Sequence, residues 1–487
     1  MNASHKDEDL QSNYKAITVS SDVELTSKDR NFEPQSHSTN TRLEVPDGGY
    51  GWFVVLAFFI YNFCTWGANA GYDIYLQHYL EADTFPGGGK LDYSAIGGFS
   101  FGVGVLFGPL IIWLQNVFPV QAVIGAGIVF QAAALILAAF SKKLWQIYLT
   151  QGVLLSFGLA FIFIPSLTLL PQWFRKKRSL ATGIATSGSG VGGVIFNLGM
   201  YRMIEIRSVK WALIVQFIIC LVLNNVALLL TRTRKEAVFQ NSNIRTKFFD
   251  KKVCKNVGVW LVIGWVGITT FGYVVVLYSL STFTTSIGYS AKQGSYVSCM
   301  VAVGWFFGRP AIGHISDRYG PISVGVLVHL ILAILCWAMW IPCRNLATAI
   351  AFGILQGLLM GTIWTTIGAI VARVVGLRRM GLAFGLVWVS IGAFGIVSPI
   401  IGLVLRSGQG TKPTDFKRTC IFAGFGYFGA SLFQWLLRGY IIARDRKIER
   451  NTGAINVNED QDELDVSVKI TDLIRSSFIL RNVSKKV

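Results

Sequence analysis

The stretch Gly304-Trp305-Phe306-Phe307-Gly308-Arg309-Pro310 places one arginine inside a long apolar run. The run extends from about Gln293 to His314, and Arg309 is the only charged residue within it. At about 1.5 Å per residue, such a run forms a helix that can cross the roughly 30 Å hydrocarbon layer of a membrane. Because an arginine at that depth costs a few kcal/mol, its side chain should face a protein partner or a wet cavity. The stretch therefore predicts a membrane helix that presents a cation to an internal site.

The composition of the whole chain is that of a membrane protein. Of its 487 residues, 52% are hydrophobic and 14% are charged, and the mean hydropathy is +0.51, which excludes an ordinary soluble enzyme. The net charge of +18 comes without a long Lys/Arg tract, so we assign it to cytosolic loops and expect no nucleic-acid partner. The seven cysteines form no C-x-x-C pair, and we expect no metal site and no cofactor.

Twelve apolar stretches are long enough to span a membrane, which predicts an all-α integral membrane protein of twelve transmembrane helices. They divide into two six-helix halves, residues 46–230 and 257–443, joined by a basic cytosolic linker, residues 231–256. Residues 1–45 are polar and Ser-rich and are predicted to be a disordered cytosolic tail, and residues 444–487 form a second cytosolic tail. The excess of Lys and Arg in the tails and the linker places both termini in the cytosol.

The two halves repeat each other at a spacing of roughly 200 residues. Gln151-Gly152 corresponds to Gln356-Gly357, and Leu180-Ala181-Thr182-Gly183 corresponds to Leu382-Ala383-Phe384-Gly385. A parallel repeat of six spans is typical of carriers whose halves rock around a central site.

Three motifs carry a resemblance to a known family. Asp47-Gly48-Gly49-Tyr50-Gly51-Trp52 opens the first span, a basic turn from Phe174 to Arg178 precedes a glycine-rich run that ends at Ser189, and Arg309-Pro310 lies in the eighth span. Together they resemble the monocarboxylate porter family of the major facilitator superfamily, over about residues 46–443. The resemblance implies the major facilitator fold, alternating access and a substrate site between the halves.

The sequence departs from the animal lactate carriers of that family at two positions. Ala70 occupies the place of their span-one lysine, and Trp305 replaces the aspartate four residues before the arginine. In those carriers, the lysine and the aspartate take part in the coupling of lactate transport to a proton. The sequence is more similar to the fungal branch, whose substrates include riboflavin.

We predict a substrate site around Arg309, with Trp305, Asn69, Tyr72 and Tyr75. The guanidinium fork suits a carboxylate or a phosphate, and the aromatic faces suit a flat heterocycle. Two alternatives remain: Arg309 could be a structural cation that caps carbonyls or pairs with an acid, and Trp305 could face lipid or another helix.

Asp73 is the only acid inside an apolar span and is a candidate for proton coupling. Counted along the helices, it lies well above the depth of Arg309, which argues against a direct ion pair. It could also be a solvated acid at a helix end. The turn with Asp317 and Arg318 is predicted to form a cytosolic gate, the alternative being an ordinary polar turn.

These observations predict a secondary active transporter that moves a small organic solute, either an organic anion or a heterocyclic vitamin such as riboflavin, by alternating access. Proton coupling is open, and a proton-linked monocarboxylate transporter and a transport-inactive nutrient sensor are the alternatives. No nucleotide-binding loop supports an ATP-driven pump, and no cluster of reactive side chains supports an enzyme. The expected partners are a small-molecule substrate and membrane lipids, and an accessory subunit is left open. The plasma membrane is preferred over the vacuolar membrane, although no short targeting sequence decides between them.

Overall fold

The computed structural model is built from helices joined by short connections. No strand occurs in the part of the chain that it describes, residues 47–82, 84–234, 251–407, 410–452 and 468–479. The all-α prediction is therefore confirmed for these ranges. The predicted N-terminal tail and most of the predicted linker lie outside them.

The helices of these ranges are numbered in chain order. Those before the linker are α1 Gly51–Asn62, α2 Tyr72–Glu81, α3 Lys90–Leu106, α4 Gly108–Val117, α5 Val120–Ala139, α6 Leu144–Ile147, α7 Leu155–Trp173, α8 Arg178–Ile206 and α9 Val209–Leu230. Those after it are α10 Lys251–Lys255, α11 Val257–Ser286, α12 Ala291–Tyr319, α13 Pro321–Leu335, α14 Leu346–Met360, α15 Thr362–Val404, α16 Lys417–Thr452 and α17 Ile470–Ser477. Wider π turns continue three of these helices, at Phe63–Gly67 after α1, Tyr148–Leu154 after α6 and Cys336–Trp340 after α13, and a 3-10 turn, Pro413–Phe416, precedes α16.

Nine helical segments of the described chain are long and apolar enough to cross a membrane, and the pair α3 and α4, bent by 43°, makes a tenth. The two remaining predicted spans differ from these for physical reasons. The apolar helix at the start of the chain, Gly51–Gly67, has fewer than 18 residues because the helix is interrupted before α2 begins at Tyr72. Helix α12 has 29 residues, enough for a crossing at about 1.5 Å each, but it carries Arg309 and charged ends that lower its mean hydropathy.

Local sequence signals set both ends of α12. The Ser290 hydroxyl accepts a hydrogen bond from the Gln293 backbone N–H, and the Gln293 side chain accepts one from the Ser290 N–H, which is a capping box. Gly320 ends the helix with φ at +96°, a conformation that favours glycine, and Pro321 starts α13 in the next position. The helix that carries Arg309 is thus fixed in register at both ends.

The two halves meet along two antiparallel helix pairs, α8 with α12 and α3 with α15. Small residues allow the backbones to touch: a Cβ added at Gly183 would lie 2.3 Å from the Arg309 carbonyl oxygen, and one added at Gly98 would lie 2.7 Å from that of Ile396. Because α8 begins and α12 ends at the same end of the bundle, we call that end, which carries the loop Phe174–Lys177, the basic end.

Helix α16 continues to Thr452, past the boundary at Ala443 that the loss of hydropathy suggested. The extension is held by buried charge: Arg444 donates to the carbonyl oxygens of Val374 and Arg373, at 2.9 and 3.1 Å, and Asp445 pairs with Arg373 at 2.6 Å. These carbonyls lie just before Gly376, where α15 leaves helical geometry, so Arg444 caps a helical segment that has no following turn.

Candidate functional site between the two halves

Arg309 reaches from the second half of the chain into the first. Its side chain is buried, with the residue 3% exposed, and its Nη1 donates to the Thr186 carbonyl oxygen and to the Ser189 hydroxyl, both at 2.5 Å. Thr186 and Ser189 belong to α8, so these hydrogen bonds cross the interface between the halves. The guanidinium carbon also lies 4.9 Å from the centre of the Trp305 ring, within the range of a cation–π contact.

The charge of Arg309 is not neutralised by the described part of the chain. The Nε atom is buried and has no hydrogen-bond partner, and no described carboxylate lies within 4.0 Å of the guanidinium. A buried cation without a counter-ion is unfavourable by several kcal/mol. The arrangement therefore favours an anionic or strongly polar ligand beside Arg309.

A cavity of about 70 Å³ lies next to Arg309, between the halves. Four of the five predicted substrate-binding residues line it: Arg309, Trp305, Asn69 and Tyr72. Sequence reasoning missed other lining residues that surround them, namely Asn62, Trp66, Asn197, Tyr273, Ser298 and Trp364.

Two stacked aromatic pairs form walls of the cavity. The rings of Tyr273 and Trp305 lie 6.1 Å apart with planes 7° from parallel, and those of Trp66 and Trp364 lie 6.1 Å apart at 22°. The second pair joins α1's π turn to α15 and so crosses between the halves. Such walls give a solute apolar contact area, while Arg309 and the nearby amides supply directional hydrogen bonds.

The remaining predicted residues have different surroundings. Tyr75 is buried inside the first half, where its hydroxyl donates to Gln216 at 2.7 Å, and it is not among the lining residues. We therefore leave Tyr75 out of the candidate site. The side chain of Asp73 lies outside the described part of the chain, so the proposed proton-coupling role has no geometry to support it.

Asp317 links the halves at the basic end. Its carboxylate oxygens accept hydrogen bonds from the backbone N–H groups of Ser179 and Leu180, at 2.9 and 2.8 Å, in the first turn of α8. A carboxylate at a helix N-terminus is favoured by the unpaired donors and by the helix dipole. The turn that carries Asp317 belongs to the second half, and these two backbone donors belong to the first half.

Burial raises the pKa of Asp317 above its ordinary value, although the two N–H donors oppose that shift. Arg318 is exposed, and its guanidinium carbon lies 5.6 Å from the centre of the Tyr319 ring. Of the two residues in the predicted gate, Asp317 is the one that contacts α8.

Comparison with known proteins agrees with this architecture. The family model described as Major Facilitator Superfamily matches residues 54–399. The "Probable transporter MCH2" of Saccharomyces cerevisiae is 57% identical over 451 residues, which cover 92% of this chain and 94% of that protein. The "Fujikurins efflux protein" of Gibberella fujikuroi is 27% identical over 347 residues, which cover 69% and 72% of the two chains.

Among solved structures, the transporter FucP, a Major Facilitator Superfamily protein in the outward conformation, matches with a TM-score of 0.57 at 16% identity. The match covers 79% of this chain and 98% of FucP, and it confirms the predicted fold. The matched family and the match to MCH2 also agree with a transporter and not with an enzyme. The chain belongs to the Major Facilitator Superfamily.

Proposed function

We propose that this transporter moves a small organic anion across the membrane by alternating access, with Arg309 binding the anionic group. The observation that carries the proposal is the buried guanidinium, which has no counter-ion within the described chain and borders a cavity between the two halves. The fork geometry of the guanidinium suits a carboxylate, which can accept two parallel hydrogen bonds.

The size of the cavity supports a small solute. An apolar cavity of about 150 Å³ admits a benzene ring, and the cavity beside Arg309 measures about 70 Å³. A tricyclic vitamin such as riboflavin would bind only after the halves part. The stacked aromatic walls keep a flat heterocycle as the second candidate, and the likeness to the fungal branch of the monocarboxylate porters supports that candidate too.

We propose that the halves, residues 46–230 and 257–443, rock as units with the basic end in the cytosol. The excess of Lys and Arg near that end supports this orientation, and with it cytosolic termini. In this conformation the basic end is closed by Asp317 and by the contact of Gly183 with Arg309. We propose the plasma membrane as the location of the protein. Apart from the solute, membrane lipids are the partner that we propose.

Proton coupling, if present, must differ from that of the animal lactate carriers. Ala70 lines the cavity at the position of their lysine, and Trp305 fills the position of their aspartate, so neither can carry a proton. Asp73 is the residue that we propose for coupling, on its sequence position alone. The named efflux activity of the Fujikurins protein makes export as reasonable a direction as uptake.

The proposal is tested by measuring the uptake and release of labelled mono- and dicarboxylates and of riboflavin, with and without a pH gradient, in cells that express the chain. We expect at least one carboxylate to be carried, and Arg309→Ala to abolish its transport with normal amounts of protein in the membrane. Carriage of riboflavin alone, unaffected by Arg309→Ala, would refute the anion site. An Asp73→Asn variant with unchanged pH dependence would remove Asp73 from coupling.

A further inference from the structure

A second cavity lies between the halves at the end of the bundle opposite to the basic end. Its volume is about 130 Å³, and it lies among the last residues of α2, α11 and α15 and the first residues of α3. We call it the vestibule. Its polar lining residues are Lys90, Ser94, Tyr278, Ser279, Ser281, Thr282 and Arg406.

The charged lining of the vestibule, within the described chain, is entirely cationic. Lys90 is the first residue of α3, and Arg406 follows the end of α15 at Val404. The Nε of Arg406 is buried without a hydrogen-bond partner, and its guanidinium carbon lies 4.7 Å from the centre of the Phe416 ring. The ring contact holds the guanidinium in place and satisfies none of its N–H donors.

Helix electrostatics explain only part of this arrangement. A cation after a helix C-terminus is stabilised by the helix dipole, which accounts for the charge of Arg406 but not for its unpartnered buried Nε. Lys90 lies at a helix N-terminus, where the dipole disfavours a cation. The nearby Asp92 caps the backbone N–H of Gly89 and accepts from the Tyr148 hydroxyl, and it is not among the vestibule's lining residues. An external anion would compensate both cations.

Two adjacent residues, Leu277 and Tyr278, border both the vestibule and the cavity beside Arg309. Tyr278 lines both cavities, and its hydroxyl donates to the Gly97 carbonyl oxygen of the first half at 3.2 Å. A Cβ added at Gly97 would lie 2.9 Å from the Tyr278 ring and 3.0 Å from the Tyr72 ring, so the two rings converge there. Tyr278 therefore lies at the boundary of the two cavities.

We propose that the vestibule is a second anion-binding subsite, in which Arg406 and Lys90 hold a carboxylate-bearing solute before Tyr278 admits it to Arg309. The inference rests on the proposed function, since it assigns an anionic substrate class to the same path. Its two cations give it charge selectivity, and its position makes it the entry or exit site at that end of the protein.

The charge of the vestibule can be measured without a known substrate. A cysteine introduced by Ser94→Cys is allowed to react with one of two methanethiosulfonate reagents. One reagent carries an anionic ethylsulfonate group, and the other carries a cationic ethyltrimethylammonium group. Six of the seven native cysteines are buried and Cys254 is at the basic end, so the parent chain supplies a low background. A unit charge about 8 Å from the thiol attracts one reagent and repels the other, so in water it changes the ratio of the anionic to the cationic reaction rate about fivefold.

We expect the ratio of the anionic to the cationic rate to fall about fivefold in Arg406→Gln, and less in Lys90→Gln, because Lys90 is exposed. Arg406→Lys should keep the ratio, which separates loss of charge from damage to the loop. Lys412→Gln, which removes an exposed cation from the same connection, is the matched control and should change nothing. An unchanged ratio in Arg406→Gln would overturn the proposal.

A transport measurement then connects the subsite to the pathway. For a labelled carboxylate that the chain carries, Arg406→Gln should raise KM several-fold and leave the maximal rate unchanged. An unchanged KM would show that the vestibule is not on the path, even if its charge is confirmed. If no anion is carried, the proposed function fails at that assay, whereas the thiol rates still report whether the vestibule concentrates anions.

Discussion

Adding one methyl group at Gly183 should separate the two halves at the basic end. The new Cβ would lie 2.3 Å from the Arg309 carbonyl oxygen and 2.9 Å from its carbonyl carbon, both of them backbone atoms that cannot rotate away. Relief requires α8 and α12 to move apart by about 1 Å, and overpacking of this kind costs about 1–3 kcal/mol. If these helices part during transport, only the conformation closed at the basic end is penalised. Gly183→Ala should then shift the conformational equilibrium about 5- to 150-fold towards opening at that end.

A matched variant distinguishes contacts that open from contacts that do not. A Cβ at Gly308 would lie 2.0 Å from the Leu358 carbonyl oxygen, but both residues belong to the second half, and rocking leaves that contact intact. Gly308→Ala should therefore lower Tm and leave the conformational equilibrium unchanged.

The assay is the labelling rate of a cysteine introduced at Ser316, which is fully buried at the basic end, by a membrane-permeant maleimide. Labelling should rise at least fivefold in Gly183→Ala, with a Tm close to that of the parent, and should not rise in Gly308→Ala. Equal losses of Tm in both variants, without faster labelling, would mean that α8 and α12 stay in contact throughout and would refute the rocking of the halves.

Three further substitutions test separate parts of the structure. Asp317→Ala removes the acceptor for two backbone N–H groups of α8, which should destabilise the closed conformation by about 1 kcal/mol. The labelling rate of Ser316→Cys should then rise about fivefold, and an unchanged rate would exclude Asp317 from the gate. Tyr75→Phe removes the hydrogen bond to Gln216 and should lower the free energy of unfolding by about 1 kcal/mol without altering KM; a raised KM would return Tyr75 to the site. Arg444→Gln leaves Asp445 with fewer partners in a buried position and should destabilise the protein by about 3–5 kcal/mol, seen as a large fall in Tm; a fall equivalent to less than about 1 kcal/mol would show that solvent reaches the cluster.

Much of the fold could be predicted because a bilayer leaves the backbone few choices. An apolar run of about 20 residues must satisfy its own backbone hydrogen bonds, so it becomes a helix whatever its neighbours are. Prediction was weaker where charge enters a helix. Helix α16 continues beyond Ala443 because Arg444 and Asp445 are paired within the protein, and the hydropathy of the sequence does not reveal such pairing.

The candidate site was predictable to the extent that burial of a charge is expensive. Arg309 was identified on that ground, and Trp305 lies one helical turn before it. Trp66, Tyr273 and Trp364 were missed because helices that are apolar all round give no periodic signal for the face that borders a cavity.

Tyr72 and Tyr75 lie on the same helix, but only Tyr72 lines the cavity. The Tyr75 side chain lies inside the first half, where its hydroxyl donates to Gln216, a partner 141 residues away that no local pattern reveals. The partner of Asp317 was hidden for a different reason. Backbone N–H groups at a helix start have no side-chain signature, and Ser179 is 138 residues away in the chain.

The central claim is that a solute binds beside Arg309, and binding of a transported carboxylate to the purified protein tests it most directly. Losing a charge-assisted hydrogen bond costs about 1.5–3 kcal/mol, so Arg309→Gln should raise Kd about 10- to 150-fold. Arg318→Gln, which removes an exposed arginine from the same helix, should leave Kd unchanged. Equal affinity of the parent and the Arg309→Gln protein, with both folded, would contradict the account.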